Sequence, residues 1–251
     1  MNISIIKEEL EKKYNIIIFE ELPSTNDYIK DNIGSLPNRT IVAALSQTSG
    51  KGTKNRSFYS PKNSGIYFSM LFKEQNSVKT NLLFTTAAAC AVSKGIQDTF
   101  GKKTKIKWVN DIYYKNKKVC GILSESTVCN EKNSYVIVGI GINLVKPAVI
   151  PDEIKPVFGY ISKKCDEQKI AMLLMSIADY MCDYADNLKA KPHYDYYIKH
   201  SLLNGKKVEI TENNRTYDAK AIKPDTDFSL IVKTDRQIKR INSNDVKIKK
   251  R

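Results

Sequence analysis

The chain has 251 residues, 41% of them hydrophobic, with 41 lysines and arginines against 27 acids and a formal charge of +14. That supports one large domain with a small one beside it, calls for an anionic partner such as nucleotide, nucleic acid or acidic protein, and leaves no apolar run near the ~20 residues of a membrane span. Glu8 and Glu9 come too early for a signal peptide, and Cys90, Cys120, Cys129, Cys165 and Cys182 are scattered without a C-x-x-C pair, so a reduced, cytoplasmic protein is expected.

Residues 3–13 read as a short amphipathic helix and Ile16 to Phe19 as a buried strand. Ser24, followed three residues later by Asp27, has the pattern of a helix cap, with the helix running to about Asn32. Ile41 to Leu45 is an apolar strand that leads into the basic loop Gln47 to Phe58, where Gly50 and Gly52 are expected to turn the backbone sharply. Gly65 to Phe72 is a second strand, and residues 78–98 form a long buried helix in which Cys90 is a small hydrophobe. Lys105 to Trp108, Ile112 to Tyr114, Val119 to Glu125 and Tyr135 to Leu144 are further strands, with turns at Lys115 to Lys118 and Glu131 to Asn133.

Residues 145–165 contain Pro147, Pro151 and Pro156 and suit a mobile flap. Helices follow over 167–189 and about 192–202. From Lys206 the texture changes to five short strands, at 206–211, 215–222, 229–232, 236–241 and 245–248, which predicts a small β-barrel with its boundary near Leu203. His193 and His200, the two histidines, have no matching ligand set, so neither a transition-metal site nor a Ser-His-Asp hydrolase is expected.

Two clusters carry chemistry. Ser24, Thr25, Asn26 and Gln47 are neutral hydrogen-bonding groups, suited to an uncharged polar head. Lys51, Lys54 and Arg56 surround a loop suited to phosphate. Lys107, Asn110, Asp111, Lys118 and Asn143 form a second polar set, beside Gly121, Gly139 and Gly141, whose missing side chains suggest a flat ligand platform. Gly50 to Thr53 is superficially like a phosphate loop, but the G-x-x-x-x-G-K-[ST] spacing fails and no helix start follows; no G-x-G-x-x-G follows the first strand either.

Taken in order, Ser24-Thr25-Asn26, Gln47 with Gly50-Lys51-Gly52, Arg56 to Pro61, Lys107 to Tyr113, Lys118 to Leu123 and Gly139 to Asn143 resemble the biotin protein ligases. The likeness is strong over about residues 16–145 and weaker to the end. It implies an α+β fold, a mixed sheet packed with helices as in class II aminoacyl-tRNA synthetases, over 1–202, followed by an SH3-like β domain over 203–251. It also implies a two-step reaction: biotin and ATP, with Mg2+, give biotinyl-5′-AMP, and a lysine of a biotin carboxyl carrier domain then takes the biotin and releases AMP. In that likeness Ser24, Thr25, Asn26, Gln47, Gly50, Lys51, Gly52, Thr53, Lys118, Gly121, Gly139 and Gly141 bind biotin. Lys51, Lys54, Arg56, Phe58, Lys107, Asn110 and Asn143 bind ATP and the adenylate, with Phe58 or Trp108 stacking on adenine. Lys118, Asp111 and Arg56 are catalytic: Lys118 at the carboxylate and α-phosphate, Asp111 toward the incoming lysine.

The loop departs from the family's Gly-Arg-Gly-Arg-x-Gly-Arg-x-Trp: Lys51 and Thr53 stand for arginines, Asn55 for glycine and Phe58 for tryptophan. Weaker retention of the adenylate is expected, with more reliance on Lys54, Arg56 and Lys118. Val109 stands for a proline, so a less rigid turn is expected before Asn110. The ligase pattern begins near residue 16, which leaves no room for a DNA-binding module and predicts ligation without operator-specific binding. A lipoate or octanoate transferase of the same superfamily, and a basic nucleic-acid-binding protein without catalysis, are the alternatives; monomer and homodimer both stay open.

Overall fold

The computed structural model describes residues 2–54, 56–73, 77–128, 134–212, 215–242 and 246–250, without the side chains of 77–79 and 246–250. Cys129, the expected turn at 131–133, residues 213 and 214 between the first two expected barrel strands, Asn55 of the basic loop and Asp245 lie outside them.

Seven strands form the central sheet: β1 (Ile16–Phe19), β2 (Ile41–Ala44), β3 (Gly65–Lys73), β4 (Lys105–Lys107), β5 (Asp111–Tyr114), β6 (Lys117–Val128) and β7 (Ser134–Asn143). Their order is β1-β2-β3-β7-β6-β5-β4. β1 and β2 run parallel and the other neighbours antiparallel. Side chains alternate between faces along each strand. Ile66, Phe68 and Met70 of β3 stand opposite Ile142, Ile140 and Val138 of β7, and all six join the main hydrophobic cluster. The long helix α3 (Ser77–Phe100) lies over that face, with Ala87 to Val92 fully buried. α4 (Glu167–Asp186) packs on α3 at Gly95, where a Cβ would come 2.7 Å from Ile177 Cγ1. α1 (Ile3–Glu11) closes the layer through Ile6 and Leu10.

The opposite face is apolar over only part of its width. Val42, Leu71 and Ile137 meet Ile29 and Leu36 beneath α2 (Thr25–Asp31). One step along β3 and β7, the residues on this face become Ser69, Gly139 and Gly141, with Gly121 of β6 directly opposite Gly141. A cleft opens where the apolar side chains stop.

The sequence expectations hold for these elements within a few residues. Segment 145–165 differs: the Lys118 N–H donates to the Val157 carbonyl (2.7 Å), the Gly159 N–H to the Lys118 carbonyl (2.8 Å) and the Ile161 N–H to the Asn143 carbonyl (3.1 Å). The irregular backbone expected there is found, but residues 157–161 run beside β6 and β7 through these bonds rather than hanging as a flap.

α5 (Tyr194–His200) is shorter than expected. It leads to a five-stranded antiparallel sheet of β8 (Lys207–Glu212), β9 (Arg215–Pro224), β10 (Leu230–Lys233), β11 (Ile238–Ile241) and β12 (Val246–Lys250), in the order β11-β10-β9-β8-β12. Val208, Ile210, Leu230 and Val232 belong to the same hydrophobic cluster as α3 and α4. The turn between β9 and β10 inserts Phe228 into the rest of the protein. Its ring stacks on His193 at 5.1 Å and meets Tyr197 edge-on, and its carbonyl accepts the Trp108 indole N–H at 2.8 Å.

Candidate functional site

The cleft has a volume of about 1020 Å3 and is lined by every residue singled out above for ligand binding or catalysis except Gly50. Gly50 lies behind the wall: a Cβ there would come 2.6 Å from the Phe58 carbonyl oxygen and 2.7 Å from Ser60 Oγ. It is closely packed there, and among the described residues of the basic loop Lys54 is left-handed, with φ 60°. The loop is a narrow hairpin, with Lys51 bridged to Ser57, the Gly52 N–H donating to the Arg56 carbonyl and the Phe58 N–H to the Gly50 carbonyl.

At one end of the cleft the neutral residues form a continuous hydrogen-bonded chain. Ser24 caps α2, its Oγ accepting the Asp27 N–H at 3.3 Å, and so fixes Thr25 and Asn26 in the first turn. Gln47 Oε1 accepts the Thr25 N–H at 2.9 Å, and Gln47 Nε2 donates to Ser60 Oγ at 3.2 Å. Thr25 Oγ1 is 2.7 Å from Ser69 Oγ, which donates to Asn26 Oδ1 at 2.5 Å. Asn26 Nδ2 donates to Glu125 Oε2 at 2.6 Å. Ser69 and Glu125 were missed at the sequence level. The signal for Glu125 was the strand alternation itself, because positions 121, 123 and 125 share a face; a lone serine inside the apolar run of β3 was the signal for Ser69.

The glycines divide their work. Gly121 and Gly141 are paired, and a Cβ on either would come 2.8 or 2.3 Å from the ring of Phe58. The flat surface expected from the sequence is therefore covered by Phe58, whose ring lies on the two glycines. Over Gly139 the space is filled by Asn26, whose Oδ1 would be 2.2 Å from an added Cβ. Trp108 is 8% exposed and its indole N–H is engaged by Phe228, so it is a buried wall of the cleft and not a free stacking surface.

At the other end, Lys118 Nζ is 2.6 Å from Asp111 Oδ1, both side chains partly exposed, and 5.8 Å from the centroid of Phe58. The pair follows from register: Asp111 stands opposite Gly121, three residues after Lys118, and the missing side chain leaves room for the lysine to reach across. Asn110 Nδ2 donates to the Ile122 carbonyl (2.7 Å) and Asn143 Nδ2 to the Gly159 carbonyl (3.0 Å). These two amides line the cleft and also brace its wall. Over the opening, Lys51 pairs with Asp27 at 2.6 Å, and Arg56 folds back on Thr53, Nη2 to the hydroxyl at 2.9 Å and Nε to the carbonyl at 3.1 Å. Thr53 thus restrains Arg56 as well as lacking a charge of its own. Ser229 and Asn242 bring the second sheet into the lining.

A neutral, direction-specific hydrogen-bonding end, an apolar middle and a cationic end define a site for a small molecule joined to a phosphate. Residues 18–143 match the Biotin/lipoate A/B protein ligase family, and the chain belongs to it. It is similar to the bifunctional ligase/repressor BirA of Bacillus subtilis, 30% identical over 218 residues, spanning 84% of this chain and 67% of that protein. It is also similar to biotin–protein ligase 1, chloroplastic, of Arabidopsis thaliana, 33% identical over 129 residues, spanning 49% of this chain and 34% of that one. The biotin protein ligase from Aquifex aeolicus in complex with biotin and ATP superposes with a TM-score of 0.78 at 25% identity, covering 94% of this chain and 99% of that chain.

Proposed function

We propose that the chain is a biotin–protein ligase, which joins biotin to AMP at the expense of ATP and then transfers biotin to a lysine of a biotin carboxyl carrier domain. The observation that carries this reading is the layout of the cleft: the Gln47–Thr25–Ser69–Asn26 chain at one end and the Lys118–Asp111 pair at the other, with Phe58 on Gly121 and Gly141 between them. The ureido group of biotin is neutral and offers two N–H donors and one carbonyl, which suits the first end. The valeryl chain packs on Phe58. The carboxylate reaches Lys118, whose charge offsets the negative charge that builds up as the carboxylate attacks the α-phosphorus and pyrophosphate leaves. Lys51, Lys54 and Arg56 hold the phosphates once ATP competes for them with Asp27 and Thr53.

In the second step the carrier amine attacks the mixed-anhydride carbonyl and AMP departs. Asp111 is the carboxylate on the cleft wall that orients this amine and accepts its proton. Among the described residues no three His, Cys, Asp or Glu side chains converge on a metal. One carboxylate on the wall fits a magnesium ion held mainly by the triphosphate, where it neutralises phosphate charge. Residues 1–202 act as the catalytic unit, built on a class II synthetase-like sheet, and 203–251 as an SH3-like module that completes the cleft through Ser229 and Asn242.

The test is exchange of labelled pyrophosphate into ATP. Exchange that depends on biotin and not on lipoate is expected. Exchange driven by lipoate alone would move the chain to the other branch of the family, and none with either acid would sink the ligase reading.

A further inference from the structure

We infer that Glu125 is a positioning residue for biotin recognition: through Asn26 and Ser69 it fixes Thr25 as a hydrogen-bond acceptor toward a ureido N–H. The inference rests on the ligase reading above and goes beyond it, because Glu125 and Ser69 are not among the residues lining the cleft, whereas Thr25 and Asn26 are.

A carboxylate only accepts hydrogen bonds, so the Asn26 group 2.6 Å from Glu125 Oε2 is the amide NH2. The same nitrogen lies 3.5 Å from the Leu123 carbonyl oxygen, another acceptor. Asn26 Oδ1 is thereby turned toward Ser69 Oγ, 2.5 Å away, and receives the single hydroxyl proton of Ser69. With that proton committed, Ser69 can only accept from Thr25 across their 2.7 Å contact, and Gln47 Oε1, 3.2 Å from Thr25 Oγ1, is a second acceptor for the same proton. Thr25 Oγ1 then has no proton left to donate and keeps only lone pairs for the cleft. On its other side Gln47 Oε1 is held by the Thr25 backbone N–H, and its Nε2 by Ser60. A threonine hydroxyl ordinarily rotates to suit either donor or acceptor. Here both neighbours of the hydroxyl are acceptors, and the Glu125 charge, three side chains away, is what makes Ser69 one of them.

Gly139 is what admits the relay: an added Cβ would overlap Asn26 Oδ1. The charge itself lies on the strand position that alternation puts on the same face as Gly121.

The test measures binding of biotin and of a biotin methylated on its ureido nitrogens, by calorimetry, to the wild-type chain and to Glu125→Ala, Glu125→Gln, Thr25→Val and the Thr25→Val/Glu125→Ala double variant. The wild type is expected to prefer biotin, and Glu125→Ala to weaken biotin by about tenfold while leaving the methylated analogue nearly unchanged. Glu125→Gln, whose carbonyl still accepts from Asn26, is expected to restore the preference, and the double variant to bind no worse than Thr25→Val. Biotin binding unchanged in Glu125→Ala, or equal losses for both ligands, would overturn the inference and leave the ligase reading standing. Absence of biotin binding by the folded wild type would overturn both.

Discussion

The residues that decide the chemistry are few, and their contacts set separate expectations. Lys118 is held by Asp111 over the paired glycines, so Lys118→Met is expected to lower biotin-dependent pyrophosphate exchange at least a hundredfold while leaving the thermal midpoint near that of the wild type. Gly139→Ala places a methyl against Asn26 and is expected to cost about 1–3 kcal/mol in denaturant unfolding, together with most of the affinity for biotin. The sequence named Asn26 and Gly139 but not their contact, because a glycine in a strand announces close approach without saying what approaches. The same limit applies to Phe58. Its type and loop position marked it as a ligand-facing ring, yet only the hairpin bonds that aim it at Gly121 and Gly141 say which surface it covers.

Elements were more legible than contacts. Short continuous apolar runs placed the core strands, and Ser24 with Asp27 placed the start of α2, because both patterns are local. Segment 145–165 was read correctly as irregular, but the anchoring of residues 157–161 was not legible because the anchors are backbone groups of Lys118 and Asn143, far off in sequence. The basic hairpin is another case. Lysines and glycines suggested a cradle, but Lys51 is occupied by Asp27 and Arg56 by Thr53, partners that composition does not reveal. Replacing Thr53 by arginine removes the hydroxyl that holds Arg56 and adds a charge. Thr53→Arg is therefore expected to slow release of biotinyl-AMP several-fold, read by stopped-flow dissociation; an unchanged off-rate would show that this hairpin does not retain the intermediate.

At the scale of the whole molecule, the two sheets act on one another through Phe228 and His193. His193 is buried, its Nε2 is 2.9 Å from Thr86 Oγ1, and burial, with a smaller contribution from Lys191, pushes its imidazole down to about 4. The unfolded chain takes up this proton near the ordinary value of about 6.5, so it binds more protons than the folded one between those limits. Stability from this group is therefore complete above about pH 6.5 and falls as pH drops toward 4, by on the order of 3 kcal/mol. Urea unfolding of the wild type and His193→Gln at pH 7 and pH 4.5 checks this: the variant is expected to lose less stability on acidification. Phe228→Ala is expected to cost about 3–5 kcal/mol. The sequence announced a change of texture near residue 203 and so a second module, but not that it would share a core with the first.

Trp108 is the chain's one tryptophan, and it stands in the cleft wall while donating to the second sheet. The protein thus carries a single tryptophan, excitable apart from its tyrosines, at the meeting point of its two sheets. A shift of its emission to the red on dilute denaturant, before the far-ultraviolet dichroism changes, would report the C-terminal sheet letting go ahead of the catalytic one. Quenching on addition of ATP or biotin would report the wall closing, with no label attached.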